Sequence, residues 1–222
     1  SRSIMRLLEE ADELLLNSGR LTLGQLRVAA VGPFHATDML ARFLQNYPEI
    51  SVSMVLGNSN QTLQRILELE ADAAILAHVV DDARVYSVPF STHEVVVFVD
   101  TDHPWSGRDS VQIAELADQR LILRETGSTT RRALERAAEV AGVSITPFLE
   151  VGSREGVWKA VERGLGVGVV ADFEFVPHPR LTTVRFSDVS VRTEYRLACL
   201  RERRNSPKIG TRGRKMSAQR PR

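Results

Sequence analysis

The segment "DQRLILRETGSTTRRALERAAEVAG" (Asp118–Gly142) runs an apolar stretch into a loop with one glycine and four hydroxyl side chains, then into a helical pattern ending at glycine. Its first part predicts a short buried strand, and "STTRRALERAAEVAG" predicts a helix that opens on cap-forming residues. A strand that enters a helix through such a loop is the building unit of a parallel sheet covered by helices. The same alternation continues downstream: "ITPFLEVG" as a strand, "SREGVWKAVERGLG" as a helix and "VGVVA" as a strand.

The first half of the chain carries the same order. "QLRVAAVG" predicts a strand, "HATDMLARFLQNYP" a helix closed by Pro48, "ISVSMVLG" a strand, "NSNQTLQRILELE" a helix and "ADAAILA" a strand. Gly57 and Gly152 are 95 residues apart, Ala77 and Ala171 are 94, and Phe90 and Phe186 are 96. Landmarks that keep nearly one offset over five elements predict two α/β lobes of like topology, roughly 21–90 and 92–187. Each lobe closes with a short strand, "RVYSVPF" or "RLTTVRF", followed by an alternating apolar strand, "HEVVVFVD" or "TEYRLACL". If the latter two cross between lobes, the chain passes twice through a hinge, near Ser91 and near 187–192, and a cleft lies between the lobes.

The chain has 222 residues, 43% of them hydrophobic, which suffices for two small lobes with their own cores. Its 29 basic and 28 acidic residues leave a net charge of +1, so the whole surface has no bias toward nucleic acid or membrane. From Arg201 onward nine basic residues face one acid, Glu202. One cysteine, Cys199, excludes an internal disulfide and any multi-cysteine metal site, and its place in "YRLACL" suits a buried strand thiol. No apolar run approaches the ~18 residues of a membrane span, and the start lacks a signal-peptide pattern, so a cytoplasmic protein is expected. "SIMRLLEEADELLLNSG" is an amphipathic helix whose seam reaches the first residue without an N-cap, as at the end of a longer helix.

In open parallel sheets ligands sit beyond the carboxyl ends of strands, where helix N-termini converge. Those positions are "GPFHAT", "GNSNQ" and "AHV" in the first lobe, and "ETGSTT", "GSRE" and "ADFE" in the second. Helix N-termini favour negative charge. Thr126, Ser128, Thr129 and Thr130 add hydroxyls, Gly127 permits close approach, and Arg131 offers a planar fork for carboxylate, sulfate or phosphonate. One hydroxyl at a helix start has an ordinary alternative, a cap worth about 0.5–2 kcal/mol without any ligand; three in a row followed by arginine exceed what a cap needs. His35, Thr37 and His78 face the same inferred cleft. Asn58 and Ser59 could cap the second helix or bind ligand, and Glu155 and Asp172 could hold an ammonium group. Trp158 reads as helix core, and His93 and His103 as hinge and turn residues. No nucleophile elbow, P-loop, zinc-protease motif or dinucleotide fingerprint is present, so no enzyme, metal or cofactor is expected.

At "LTLGQLRVAAVG", "FLQNYPEISVSMVLGNSNQTLQRILELEADAAIL", "VVVFVDTDHPW", "LILRETGSTTRRALE" and "VWKAVERGLGVGVV" the chain resembles the effector-binding region of LysR-type transcriptional regulators, over about Leu21 to Glu202. The resemblance implies a periplasmic-binding-protein-like type 2 fold with two Rossmann-like lobes joined by a two-stranded hinge. It implies residues 1–19 as the end of a linker helix, 20–90 with 191–205 as lobe I, 91–190 as lobe II and 206–222 as a basic tail. It further implies a DNA-binding winged helix-turn-helix outside this chain and assembly as a homodimer or homotetramer. A small anionic effector in the cleft would reach Thr37, Asn58, Ala77 or His78, and Ser128 to Arg131, and change the shape of the oligomer on DNA. Similar "DHPW" and "GSTTR" text in branches linked to phosphonate use implies an aminoalkylphosphonate. The chain departs from the family at Asp172 and Phe173, where proline is usual, and in its tail, which lacks an apolar final helix. A solute-binding receptor of a transport system shares the fold and is the alternative; an enzyme on the same fold is a third reading.

Overall fold

The protein is described by a computed structural model covering residues 24–204. The expected linker-helix end (1–19) and basic tail (206–222) lie outside the described residues. Lobe I begins with β1 (Gln25–Ala30), α1 (Pro33–Asn46), β2 (Ser51–Leu56), α2 (Ser59–Leu67) and β3 (Ala73–Leu76), with the strands parallel in the order β2-β1-β3. Pro33 starts α1 where a missing N–H costs nothing, two residues earlier than the pattern predicted. The Tyr47 N–H closes its last turn on Phe43 O at 3.0 Å, just before Pro48.

Next come β4 (Val85–Asp100), β5 (Ser110–Val111), β6 (Leu121–Arg124), α3 (Thr129–Val140), β7 (Pro147–Val151), α4 (Arg154–Glu162), β8 (Val167–Ala171), β9 (Leu181–Phe186), β10 (Arg192–Leu200) and the single turn α5 (Arg201–Arg204). In lobe II the parallel order is β7-β6-β8. The long strand β4 joins the lobes. Val85 to Glu94 pairs antiparallel with β10, whose other edge pairs with β3; Val95 to Asp100 pairs with β8 and β9. Each lobe therefore holds three parallel strands followed by two antiparallel ones, β10 and β4 in the first, β4 and β9 in the second.

The sequence splits β4 into "RVYSVPF" and "HEVVVFVD", whereas the chain runs as one strand of 16 residues. Pairing with β10 continues from Ser91 to Glu94, so the backbone groups at the crossing stay hydrogen-bonded and no break is required. The second crossing is the 187–191 link into β10, held where the Val95 N–H donates to Val191 O at 2.8 Å.

Side-chain alternation puts helices on both faces of each half-sheet. In lobe I, Leu26, Val28 and Ala30 pack with Phe43 of α1, while Ala29 packs with Ile66 of α2. In lobe II, Val97 and Val99 pack with Leu134 of α3, and Val96 and Phe98 with Val157 and Val161 of α4. Cys199 is fully buried in the lobe I core. Buried Asp72, entering β3, accepts bonds from the Arg27 N–H and guanidinium and from Arg203, and ties β1 to the chain beyond β10. Helices α1 to α4 alternate faces, yet all four begin at the same edge, the carboxyl ends of the parallel strands, and there the lobes meet.

Candidate functional site

The lobes touch through the starts of α2 and α3. Asn58 caps α2 with a reciprocal pair: its Oδ1 accepts the Gln61 N–H and its N–H donates to Gln61 Oε1, both at 3.0 Å. The same amide donates Nδ2–H across the gap to Glu125 Oε1 at 3.0 Å. Beside it the Ser59 and Thr129 hydroxyls hydrogen-bond. Gly127 is required for this approach, since a Cβ there would stand 2.5 Å from Asn58 Nδ2. The remaining cavity is about 30 Å³, room for one or two waters. Asn58, Ser59 and Ala77 wall it from lobe I, and Ser128, Thr129 and Thr130 from lobe II.

Ser128 occupies the N-cap position of α3, but its hydroxyl makes no capping bond. The expectation that a hydroxyl of this loop caps the helix is therefore not met. Asn58 and Ser153, at the starts of α2 and α4, do cap theirs. The Thr129 hydroxyl is met by Ser59, but the Ser128 hydroxyl is not used by a cap and α3 begins at the cavity wall, where a helix N-terminus suits an anion.

Arg131 does not join them. It is 7% exposed, and its guanidinium is committed to Glu135 at 2.6 Å, Glu150 at 2.5 Å and the Arg124 carbonyl at 2.8 Å. Position 131 lies on the buried side of α3 with Leu134 and Ala138, so the helix turns its fork toward β6 and β7 rather than the cleft. The cleft guanidiniums are Arg124, paired with Glu125, and Arg154, which sequence reasoning missed. Arg154 reaches Glu174 at 2.8 Å, and Tyr195 OH donates to the same carboxylate at 3.3 Å. Glu174 is 2% exposed; burial pushes its carboxyl up, and Arg154 and the Tyr195 hydrogen bond oppose the rise. Gly32 leaves space for this pair, because a Cβ there would lie 3.0 Å from both Arg154 Nη1 and Glu174 Oε1. The sequence places Glu174 in "ADFE" at a strand end but does not mark its pairing with Tyr195; they meet because the turn after β8 (Asp172–Glu174) folds under the hinge strand.

His35 and Thr37 stand away from the cavity. The Thr37 hydroxyl bonds back to the Pro33 and Phe34 carbonyls on an exposed turn of α1. His35 Nε2 meets His93 Nε2 at 3.1 Å, and His93 Nδ1 meets Asp172 at 3.2 Å, with Phe173 stacked on His35. This cluster joins α1, the hinge and lobe II, and it engages Asp172 as a partner of His93. The departure from the family's proline at Asp172 and Phe173 thus has a structural use. Thr126 is exposed and outside the cavity, and Glu155 lies in an apolar mouth of the cleft. His78 lines a separate mouth with Arg132 and Arg136. Trp158 packs on Phe98 and Phe175 as a core residue and also walls the cleft.

Burial, with His93 beside it, lowers His35 to about 4. A histidine held below its unfolded value binds fewer protons in the folded state, so its contribution is present above pH ~6.5 and is lost as pH falls toward 4. Proton NMR of the His35 ring is expected to show a midpoint below 5, and His35→Phe to flatten the acid limb of a stability–pH curve. A midpoint near 6.5 would remove the effect.

Among the described residues no helix is long and apolar enough to cross a membrane, and no group of three or more His, Cys, Asp or Glu could hold a metal ion. Two helix-covered lobes, a two-stranded hinge and donors converging in the gap define the class of two-lobed ligand-binding domains. Residues 17–211 match the LysR substrate binding domain, and the chain belongs to that family. It is 28% identical over 216 residues to the RuBisCO operon transcriptional regulator of Allochromatium vinosum, covering 95% of this chain and 71% of that protein. It is 25% identical to the transcriptional regulator CysL of Bacillus subtilis over 174 residues, 77% of this chain and 58% of CysL. The regulatory domain of Synechocystis PCC6803 CcmR, solved in complex with 2-PG, superposes with a TM-score of 0.72 and 27% identity over 80% of this chain and 88% of that one. The effector-binding domain of QuiR, solved with shikimate, shares the fold at a TM-score of 0.74 and 16% identity, covering 80% and 87%. The protein is thus a LysR effector-binding domain of periplasmic-binding-protein-like type 2 fold, and its relatives are transcriptional regulators.

Proposed function

We propose that this chain is the sensing portion of a cytoplasmic transcription factor, and that a small anion entering between the lobes is its signal. The boundaries at residues 90–91 and 190–191 divide it into the two lobes that close on that anion. Backbone N–H groups and the Ser128, Thr129 and Thr130 hydroxyls at the start of α3 grip the anion, with Asn58 and Ser59 opposite. The observation that carries the reading is the uncapped start of α3, facing a cavity that Ser59 and Thr129 close by direct contact. A ligand larger than two waters must part that contact, so binding and lobe separation are coupled and ligand identity becomes a change of shape. A helix-turn-helix segment outside this chain would carry the shape change to DNA, through a homodimer or homotetramer.

Thermal unfolding with 2-PG, phosphate, sulfate, small carboxylates and aminoalkylphosphonates tests this. One of them is expected to stabilise the protein by about 2.7 kcal/mol at a hundredfold excess over Kd. The Ser128→Ala/Thr129→Ala variant is expected to lose most of that shift. An undiminished shift in the variant would move the site elsewhere.

A further inference from the structure

Beside the pinched cavity, and sharing Ala77 and Thr129 with it, lies a mouth of about 660 Å³ between α3 and the link into β10. That size lies within the usual range for small-molecule sites. Arg132 and Arg136 project into it from successive turns of α3, and among the described residues neither takes part in an ion pair. The acid between them, Glu135, is taken by Arg131. Like charges four apart on a helix repel, by roughly 0.2–0.5 kcal/mol. Arg192 adds a third guanidinium, partly met by Glu94 at 3.5 Å; the carboxylate in the lining, Glu194, is itself held by Arg196. The unmet charge is therefore that of two arginines. His78 Nδ1 is buried without a hydrogen-bond partner among the described residues, next to Arg132. The rest of the wall is apolar, and it includes the exposed side chains of Val79 and Val140.

We infer that this mouth is a second ligand site, beside the cleft cavity, for a molecule with a phosphoryl head and an apolar or ring-shaped body. Two unpaired guanidiniums match a dianion, and a phosphate monoester carries about −1.5 to −2 at pH 7 with oxygens enough for both forks. The body covers Val79 and Val140. A carboxylate supplies one charge and two oxygens, and it leaves one arginine unmet.

Phenyl phosphate has this head and body, phenyl sulfate keeps the shape with one charge less, and inorganic phosphate is the head alone. Calorimetric titration of the chain at pH 7.5 is expected to rank them phenyl phosphate first, the other two weaker by about tenfold or more. Arg132→Gln/Arg136→Gln, which keeps good helix formers on α3, is expected to weaken phenyl phosphate at least about tenfold, while Arg132→Lys/Arg136→Lys retains part of the affinity. Ser128→Ala is expected to leave it unchanged, since Ser128 lines the cavity and not this mouth. Equal affinity in the Gln variant overturns the site, as does the absence of binding to the unaltered protein at millimolar phenyl phosphate. Loss of binding in Ser128→Ala with none in the Gln variant assigns the ligand to the cleft and likewise overturns it. Failure of the cleft reading itself shows separately, in the melts with small anions.

Discussion

Arg154→Ala is expected to destabilise the protein by about 3–5 kcal/mol at pH 7, the cost of leaving a buried charge without its partner. Glu174 is 2% exposed, and Arg154 provides its cation at 2.8 Å. With the guanidinium gone, Tyr195 OH at 3.3 Å remains, a neutral donor for a charge that burial already disfavours. The carboxyl of Glu174 is raised even with Arg154 present, and removing the opposing charge raises it further. A raised carboxyl binds its proton more tightly in the folded state than in the unfolded one, so stability falls as pH rises from the unfolded value through the folded one. The variant is therefore expected to regain part of its loss when urea unfolding is repeated near pH 5, and Arg154→Ala/Glu174→Gln to regain part of it at pH 7. A loss below about 1 kcal/mol with an unchanged pH profile would show that Glu174 does not depend on Arg154.

Gly166→Ala is expected to lower stability by about 3–4 kcal/mol, from overpacking and a lost ladder bond together. The added Cβ would lie 2.0 Å from the Arg120 carbonyl oxygen, and that oxygen accepts the Val167 N–H at 2.9 Å, beside the first rung between β6 and β8. The obstacle is backbone held in a sheet, so no side-chain rotation relieves it. For a domain of this size the melting temperature should drop by roughly 6–16 °C. Gly164→Ala is the internal control: its φ of +69° costs about 1 kcal/mol in a residue with a Cβ, but nothing lies within 4 Å of the added atom. Equal losses at the two positions would mean that turn conformation, not the contact with Arg120, decides.

The effects differ in how visible their causes are in the sequence. "GLGVG" reads as a tight helix-to-strand turn from spacing alone, and Gly164 and Gly166 make that turn between α4 and β8. That the Arg120 carbonyl presses on one of these glycines, 46 residues earlier in the chain, is not legible, because strand order within a lobe is a tertiary fact. Asn58, Ser59, Ser128, Thr129 and Thr130 line the cavity, and their place at the gap is legible because each lies at a helix start beyond a strand's carboxyl end, a local property. Arg131 was misplaced by a helical phase of one residue. Its type suits an anion, but α3 turns position 131 inward and position 132 outward, and only packing sets that phase. His35 and Thr37 fail differently: they lie at the right end of α1, yet Phe173 draws one ring into the hinge and the helix carbonyls take the other hydroxyl.

Taken alone, the amino-acid order determined the strand–helix alternation, the repeat near 95 residues, the paired crossings and the loops that face the gap. Those follow from periodicity, turn residues and the rule that helices start at strand ends, all short-range physics. The tertiary structure decided that β4 is one strand shared by both lobes, that Glu174 and Tyr195 lie beneath Arg154, and which arginines are spent in ion pairs and which are not. Arg131 meets Glu150, Arg154 meets Glu174 and Glu174 meets Tyr195 across 19, 20 and 21 residues of chain. Desolvation and charge pairing act on distances in space, and distances in space are set only when the sheet closes.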